Sequence, residues 1–165
     1  MFKQSPFRNL LIILISLCNV FTLNAQKLYW VGGSGNFNDP VHWSFSSGGK
    51  GGAKRPTQYD HIVFDSKSFR THSTVTITGN PECRSFEIGN IPSEIFFDGS
   101  ANESITIYEN FSISSSANWD FLGRLQFKGT SDSRIYVGIT KLKSSLVFEK
   151  SNAKMLELWR SLGQL

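Results

Sequence analysis

From Ser73 to Ile113 the chain reads STVTITGNPECRSFEIGNIPSEIFFDGSANESITIYENFSI. Short runs such as STVTIT, RSFEI, EIFFD, SITIY and NFSI are rich in β-branched and aromatic residues, and Gly, Asn, Pro and Ser separate them. Those side chains pack well on a pleated surface, and the residues between them favour turns, so each run is a strand candidate. Strand candidates recur about every 8 to 12 residues, which points to a sandwich, a barrel or a solenoid.

The same rhythm extends in both directions. KLYWV and HIVFD precede the stretch, while RLQFKG, SRIYV, SSLVFEK and MLELW follow it, and no window has a sustained helical period. From residue 74 the apolar centres fall at Ile77, Phe86, Phe96, Ile107, Ile113, Phe121, Phe127, Tyr136, Val147 and Leu156. With two or three strands per coil, this spacing suits about 20 residues per coil. STVTIT and FSISSSANWDF alternate small hydroxyl residues with apolar ones, a pattern that suits stacked strands. The reading is all-β, a parallel β-helix, with a β-sandwich as the alternative. Residues 74–165 are expected to form its coils and residues 26–73 an aromatic, Gly-rich capping segment. MLELWRSLGQL is still strand-like, and an open stack needs a cap, so the array is expected to be the incomplete N-terminal part of a longer one. A short amphipathic helix over Met155 to Leu162, serving as the cap, is the other reading.

Residues 1–25 have the layout of a secretory signal peptide: basic Lys3 and Arg8, an apolar run from Leu10 to Leu17, then a polar tail ending at Ala25. That run is too short for a transmembrane helix, which needs about 20 residues. The mature chain is expected to lack a transmembrane segment. Leu17 before Cys18 is not the small residue that a lipoprotein signal requires, and cleavage after Ala25 leaves Cys83 alone, with no intramolecular disulfide. Of the formal charge of +4, Lys3 and Arg8 belong to the leader, leaving 15 basic against 13 acidic groups. Such a balance does not suggest a nucleic-acid partner. Only 18% of residues are charged while 13% are aromatic, and Ser (23) and Gly (14) are plentiful, which argues against disorder and coiled coil.

The most distinctive segment is YWVGGSGNFNDPVHWSFSSGGKGGAKRPTQYDHIVFDSKSF, residues 29–69. Gly32, Gly33 and Gly35 permit positive φ, and Asp39-Pro40 favours a turn. Trp30, Phe37 and Trp43 around that turn suit either a cap folded inward over a β stack, the favoured reading, or a sugar-stacking platform. GGSGNF approaches a calcium nonapeptide, but Phe37 replaces the Asp ligand and the unit occurs once, leaving Asn36, Asn38 and Asp39 as oxygens for a weak site at most. GGKGG lacks the P-loop spacing and reads as a flexible surface loop ended by Pro56. His42, His61 and His72 have no metal-ligand spacing, Asp60 and Asp65 lie on opposite faces of a strand, and no nucleophile elbow is present. No catalytic residue, metal or cofactor is therefore expected.

The segment 29–69, followed by STVTI and CRSFEI, resembles a module that opens, and often recurs in, very large secreted or surface proteins of Bacteroidetes-type bacteria. Those proteins carry the phrase YW-V-GG-GNW-D-HWS-SGG-GG-P-D-V-FD-SF, and many end in a gliding-associated or type IX secretion sorting domain. The likeness is strongest over residues 29–88; Phe37 stands where the family usually has Trp, and no sorting domain is recognisable. It implies a right-handed parallel β-helix in an adhesin-like protein, secreted or at the cell surface and associated with the outer membrane. It carries over no active site. The expected function is thus an extracellular adhesin-like interaction protein without catalysis. The alternative is a carbohydrate-binding module or accessory domain of a polysaccharide-degrading system. Surface glycans or other extracellular polymers are the expected partners, and Trp30, Trp43, Trp119, Tyr29 and Tyr59 are the rings to hold them.

Overall fold

A computed structural model describes residues 25–114 and 117–151, together with the backbone of 156–159. The expected leader, apart from Ala25, lies outside the described residues. In chain order the strands are β1 (Lys27–Trp30), β2 (Gly35–Asn36), β3 (Trp43–Ser44), β4 (His61–Phe64) and β5 (Ser73–Ile77). Next come β6 (Glu82–Cys83), β7 (Ser85–Ile88), β8 (Ile95–Gly99), β9 (Ser104–Ile107) and β10 (Phe111–Ile113). The last are β11 (Asn118–Trp119), β12 (Arg124–Gly129), β13 (Ser133–Tyr136), β14 (Ser145–Lys150) and β15 (Leu156–Trp159). One 3₁₀ turn, Pro40–His42, interrupts them; Asp39 caps it by accepting the Val41 N–H at 3.0 Å.

These strands wind into a parallel β-helix of about four turns. Three sheets form its faces: β15-β13-β10-β7-β4-β1-β3, β11-β8-β5-β2 and β14-β12-β9-β6. The only antiparallel pairing among the described residues is β1 with β3. In the first face Ile62, Phe86, Phe111 and Ile135 stand in register, 24 or 25 residues apart. Val75, Phe97 and Trp119 align in the second at intervals of 22, and Cys83, Ile107, Phe127 and Phe148 in the third at intervals of 24, 20 and 21. A turn thus takes 20 to 25 residues, at and somewhat above the expected 20.

Alternation sends every second side chain inward, as in β5, where Ser73, Val75 and Ile77 are buried and Thr74 and Thr76 are partly exposed. Identical register on successive turns places apolar residue over apolar residue, and each full burial of a Phe, Ile or Leu contributes roughly 1.5–3 kcal/mol. Three expected apolar centres sit one residue from the true inward position. Phe97 is buried while Phe96 is half-exposed, Ile135 faces in and Tyr136 out, and Val147 pairs with the outward Gln126. Where two apolar residues are adjacent, composition cannot choose between them, and a shift of one residue reverses the face.

The segment 26–73 supplies β1, β2, β3 and β4 to the sheets. Trp30, Phe37, Trp43, Phe64 and Phe69 are all buried there. Trp30 lies edge-on to Trp43 at 5.2 Å and stacks on His42 at 4.7 Å. The indole N–H of Trp43 donates to Phe37 O at 2.7 Å, and that of Trp30 to Gly33 O at 2.8 Å, which satisfies the polar edge of each ring. The glycine-rich loop before Pro56 is tied down where a free loop was expected. Gly52 N–H donates to Pro40 O and Ala53 N–H to Trp43 O, both at 3.0 Å. Lys54 then pairs with the buried Asp60 at 2.7 Å. At the other end, β15 pairs in parallel with β13, so the backbone of 156–159 is a strand and not a turn of helix. No helix among the described residues is long and apolar enough to cross a membrane.

Candidate functional site

Parallel stacking brings side by side residues that lie about 24 positions apart in sequence. At the corner where each turn passes from the third face to the first, the backbone forms its own ladder. Arg84 N–H donates to Asp60 O at 2.8 Å, and Glu109 N–H donates to Arg84 O at 2.7 Å. The guanidinium of Arg84 grips Glu109 Oε1 through Nε at 2.7 Å and Nη2 at 2.6 Å. That hydrogen bond, reinforced by the carboxylate's charge, raises the Arg84 pKa further.

Tyr59 and Tyr108 flank this pair. They immediately precede Asp60 and Glu109, which are two ladder steps apart, so the two positions are separated by roughly 10 Å along the helix axis. Tyr108 lies beside Gly129, whose φ of +93° is a conformation that suits glycine. Burial pushes the Tyr108 phenol up, with the charge of Glu82 adding to the effect, so it stays a neutral donor. Lys150 fixes the next turn by donating to Tyr108 O at 2.9 Å and Ser131 O at 2.7 Å. Burial lowers its pKa, while Glu109 and Asp132 oppose the shift.

The result is an open groove of about 320 Å³ along the corner, walled by Gln58, Tyr59, Arg84, Tyr108 and Glu109 and floored by residues 129–131. It offers two aromatic rings and several polar groups that donate or accept. Hydroxyl-rich ligands with flat apolar faces match such a surface. The groove's carboxylate, Glu109, is bound to Arg84.

Of the five rings that the sequence offers to a sugar, Tyr59 is exposed, at 43%. The three tryptophans require correction as ligand platforms: Trp30 and Trp43 are fully buried and Trp119 is 2% exposed. Their faces are spent on neighbouring rings of the core, where inward alternation puts them. Tyr29 is half-buried on β1, away from the groove. Tyr108 and Glu109 were missed, because only a register of 24 or 25 residues per turn brings them to the corner that Tyr59 shares.

Register also joins His61 to Ser85, with Nδ1 and Oγ 2.5 Å apart on adjacent strands. Serine nucleophiles need a base that a third group orients, and no carboxylate hydrogen-bonds this ring among the described residues. The pair links two strands on the outer face. Asp60 and Asp65 each serve their own turns: Asp60 accepts from Thr57 N–H, Thr57 Oγ1 and Lys54, and Asp65 accepts from Lys67 N–H. In the GGSGNF turn, Asn36 Oδ1 accepts the Asn38 N–H and Asp39 Oδ1 the Val41 N–H. Asn38 Oδ1 is left buried without a partner, and one such oxygen does not make a calcium site. No cluster of His, Cys, Asp or Glu suited to a metal occurs among the described residues. Comparison with known protein families, with characterised proteins and with solved structures finds no match to this chain.

Proposed function

We propose that this chain is an extracellular, adhesin-like interaction protein without catalytic chemistry, and that it holds extended glycan chains along the corner groove. The observation that carries this reading is the pairing of Tyr59 and Tyr108 on either side of the Arg84–Glu109 ion pair. A glycan lying along the helix axis would stack sugar faces on the two rings and bond its hydroxyls to Gln58, Arg84 and Glu109. The leader-like residues 1–25 and the resemblance to large surface proteins support a secreted or outer-membrane-associated location. Weak single contacts gain avidity when such grooves are presented in number. The same groove would serve a carbohydrate-binding module of a polysaccharide-degrading system.

The test is a glycan array of plant, algal and bacterial polysaccharides probed with the parent chain and with Tyr59→Ala. Binding of at least one polysaccharide class is expected, with affinity reduced about tenfold in the variant, since loss of one stacked ring costs roughly 1 kcal/mol or more. Signal at background throughout, or signal indifferent to Tyr59→Ala, would overturn the proposal.

A further inference from the structure

A second cavity, of about 350 Å³, opens beside the cap between the loop after β1 and the turn after β4. Gly32, Gly33 and Gly48 line one side, and Lys67, Arg70 and Thr71 the other. Gly32 and Gly33 have φ of +89° and +80°, a backbone conformation that glycine adopts freely. The N–H groups of Gly32, Gly33 and Gly48 make no hydrogen bond among the described residues. Gly48, with φ of +65°, seats the stem of Lys67: a Cβ at Gly48 would lie 2.8 Å from Lys67 Cδ. The close packing of that stem fixes where the ammonium begins.

Charge on this wall is uncompensated. Among the described residues neither Lys67 nor Arg70 takes part in an ion pair. Asp65, the nearest carboxylate in sequence, spends Oδ1 on the Lys67 N–H at 2.9 Å. Two free cations, a hydroxyl and unbonded backbone amides thus surround one hollow. Such a donor set fits an oxyanion, which Arg can hold through two parallel bonds and backbone amides through short ones.

We propose that this cavity is an oxyanion site that takes the sulfate or carboxylate substituent of an acidic polysaccharide. A lone inorganic anion would fill a small part of its volume, and the open side admits the sugar that carries the group. The site uses none of the residues of the corner groove, so the two proposals stand or fall separately. Exposure of Lys67 and Arg70 makes the interaction sensitive to salt.

The experiment follows amide NMR shifts and affinity in the full chain with three probes: sodium sulfate, a sulfated hexasaccharide and the same hexasaccharide desulfated. Shifts at Gly32, Gly33 and Gly48 are expected with the two sulfate-bearing probes. The sulfated sugar should bind more than about tenfold tighter than sodium sulfate or the desulfated sugar. Lys67→Met with Arg70→Met should weaken it by about tenfold or more, because each removes a charge-assisted bond. Arg70→Lys should recover part of the loss. Equal affinity for sodium sulfate and the sulfated sugar overturns the polysaccharide assignment. Absence of shifts at the three glycines, or a double variant with parental affinity and an unchanged melting midpoint, overturns the site itself.

Discussion

Phe97 and Trp119 occupy the same register position on adjacent strands, with ring centroids 4.9 Å apart and planes 23° from parallel. Trp119 also meets Phe86 and Phe111 edge-on, and its N–H donates to Ser144 Oγ at 2.8 Å. The ring is a core element joining three strands. Trp119→Ala is expected to cost about 3–5 kcal/mol, the usual cost of removing a buried large aromatic ring, and Trp119→Phe distinctly less. Urea unfolding followed by circular dichroism measures both, and a loss under ~1 kcal/mol for the alanine variant would contradict the packing.

Asp60 holds the glycine-rich loop to β4. Its carboxylate is buried and accepts from Lys54 Nζ at 2.7 Å, Thr57 Oγ1 at 2.7 Å and Thr57 N–H at 3.0 Å. Asp60→Ala leaves the two Thr57 donors without an acceptor while Lys54, partly exposed, can turn to water, and a loss of about 1–3 kcal/mol is expected. Lys54→Met instead leaves the buried Asp60 carboxylate without its counter-charge, held only by Thr57, so a larger loss of about 3–5 kcal/mol is expected. Thermal melts of both variants test this asymmetry, and equal losses would refute it.

Much of the fold was legible because β-helix strands announce themselves locally. STVTI, SFEI, SITI and FSI are each a strand, and alternation marks the inward side in all but SITI, whose four residues are all buried. The inward turn of Trp30, Phe37 and Trp43 around Asp39-Pro40 was legible too, since large apolar rings on either side of a tight turn bury against one another. Contacts set by register were not legible. Arg84 reaches Glu109, and His61 reaches Ser85, only because a turn uses 24 or 25 residues on that face, and the apolar rhythm fixed the turn length only to about 20. The same uncertainty made Trp119 a candidate sugar platform, since the sequence does not show which neighbour will cover a ring.

Cys83 should be chemically silent in the folded chain. It stands in register with Ile107 on the inner side of the third face, fully buried, and burial pushes its thiol far above the ordinary range. Thiolate is the reactive form, so neither charge state nor access favours attack. With Cys18 replaced by serine, a colourimetric disulfide reagent at pH 8 is expected to find no reactive thiol in buffer and one in concentrated urea. Rapid labelling in buffer would place Cys83 at the surface.

His61 gives the chain a pH dependence whose sign follows from burial. Burial lowers its pKa below 6.5, an effect that Glu109 opposes and Arg84 reinforces. Below pH 6.5 the unfolded chain takes up a proton at this position before the folded chain does, so the unfolded state binds more protons there. Stability from this group is therefore complete above about pH 6.5 and declines as the pH falls from 6.5 toward the lower folded value. Urea midpoints at pH 7.5 and 5.5 should differ more in the parent than in His61→Gln, which keeps a polar group opposite Ser85 but does not titrate. Other groups that titrate in this range contribute equally to both chains, so the difference between them isolates His61. An identical drop in parent and variant would show that the ring is as free to protonate in the fold as in the unfolded chain.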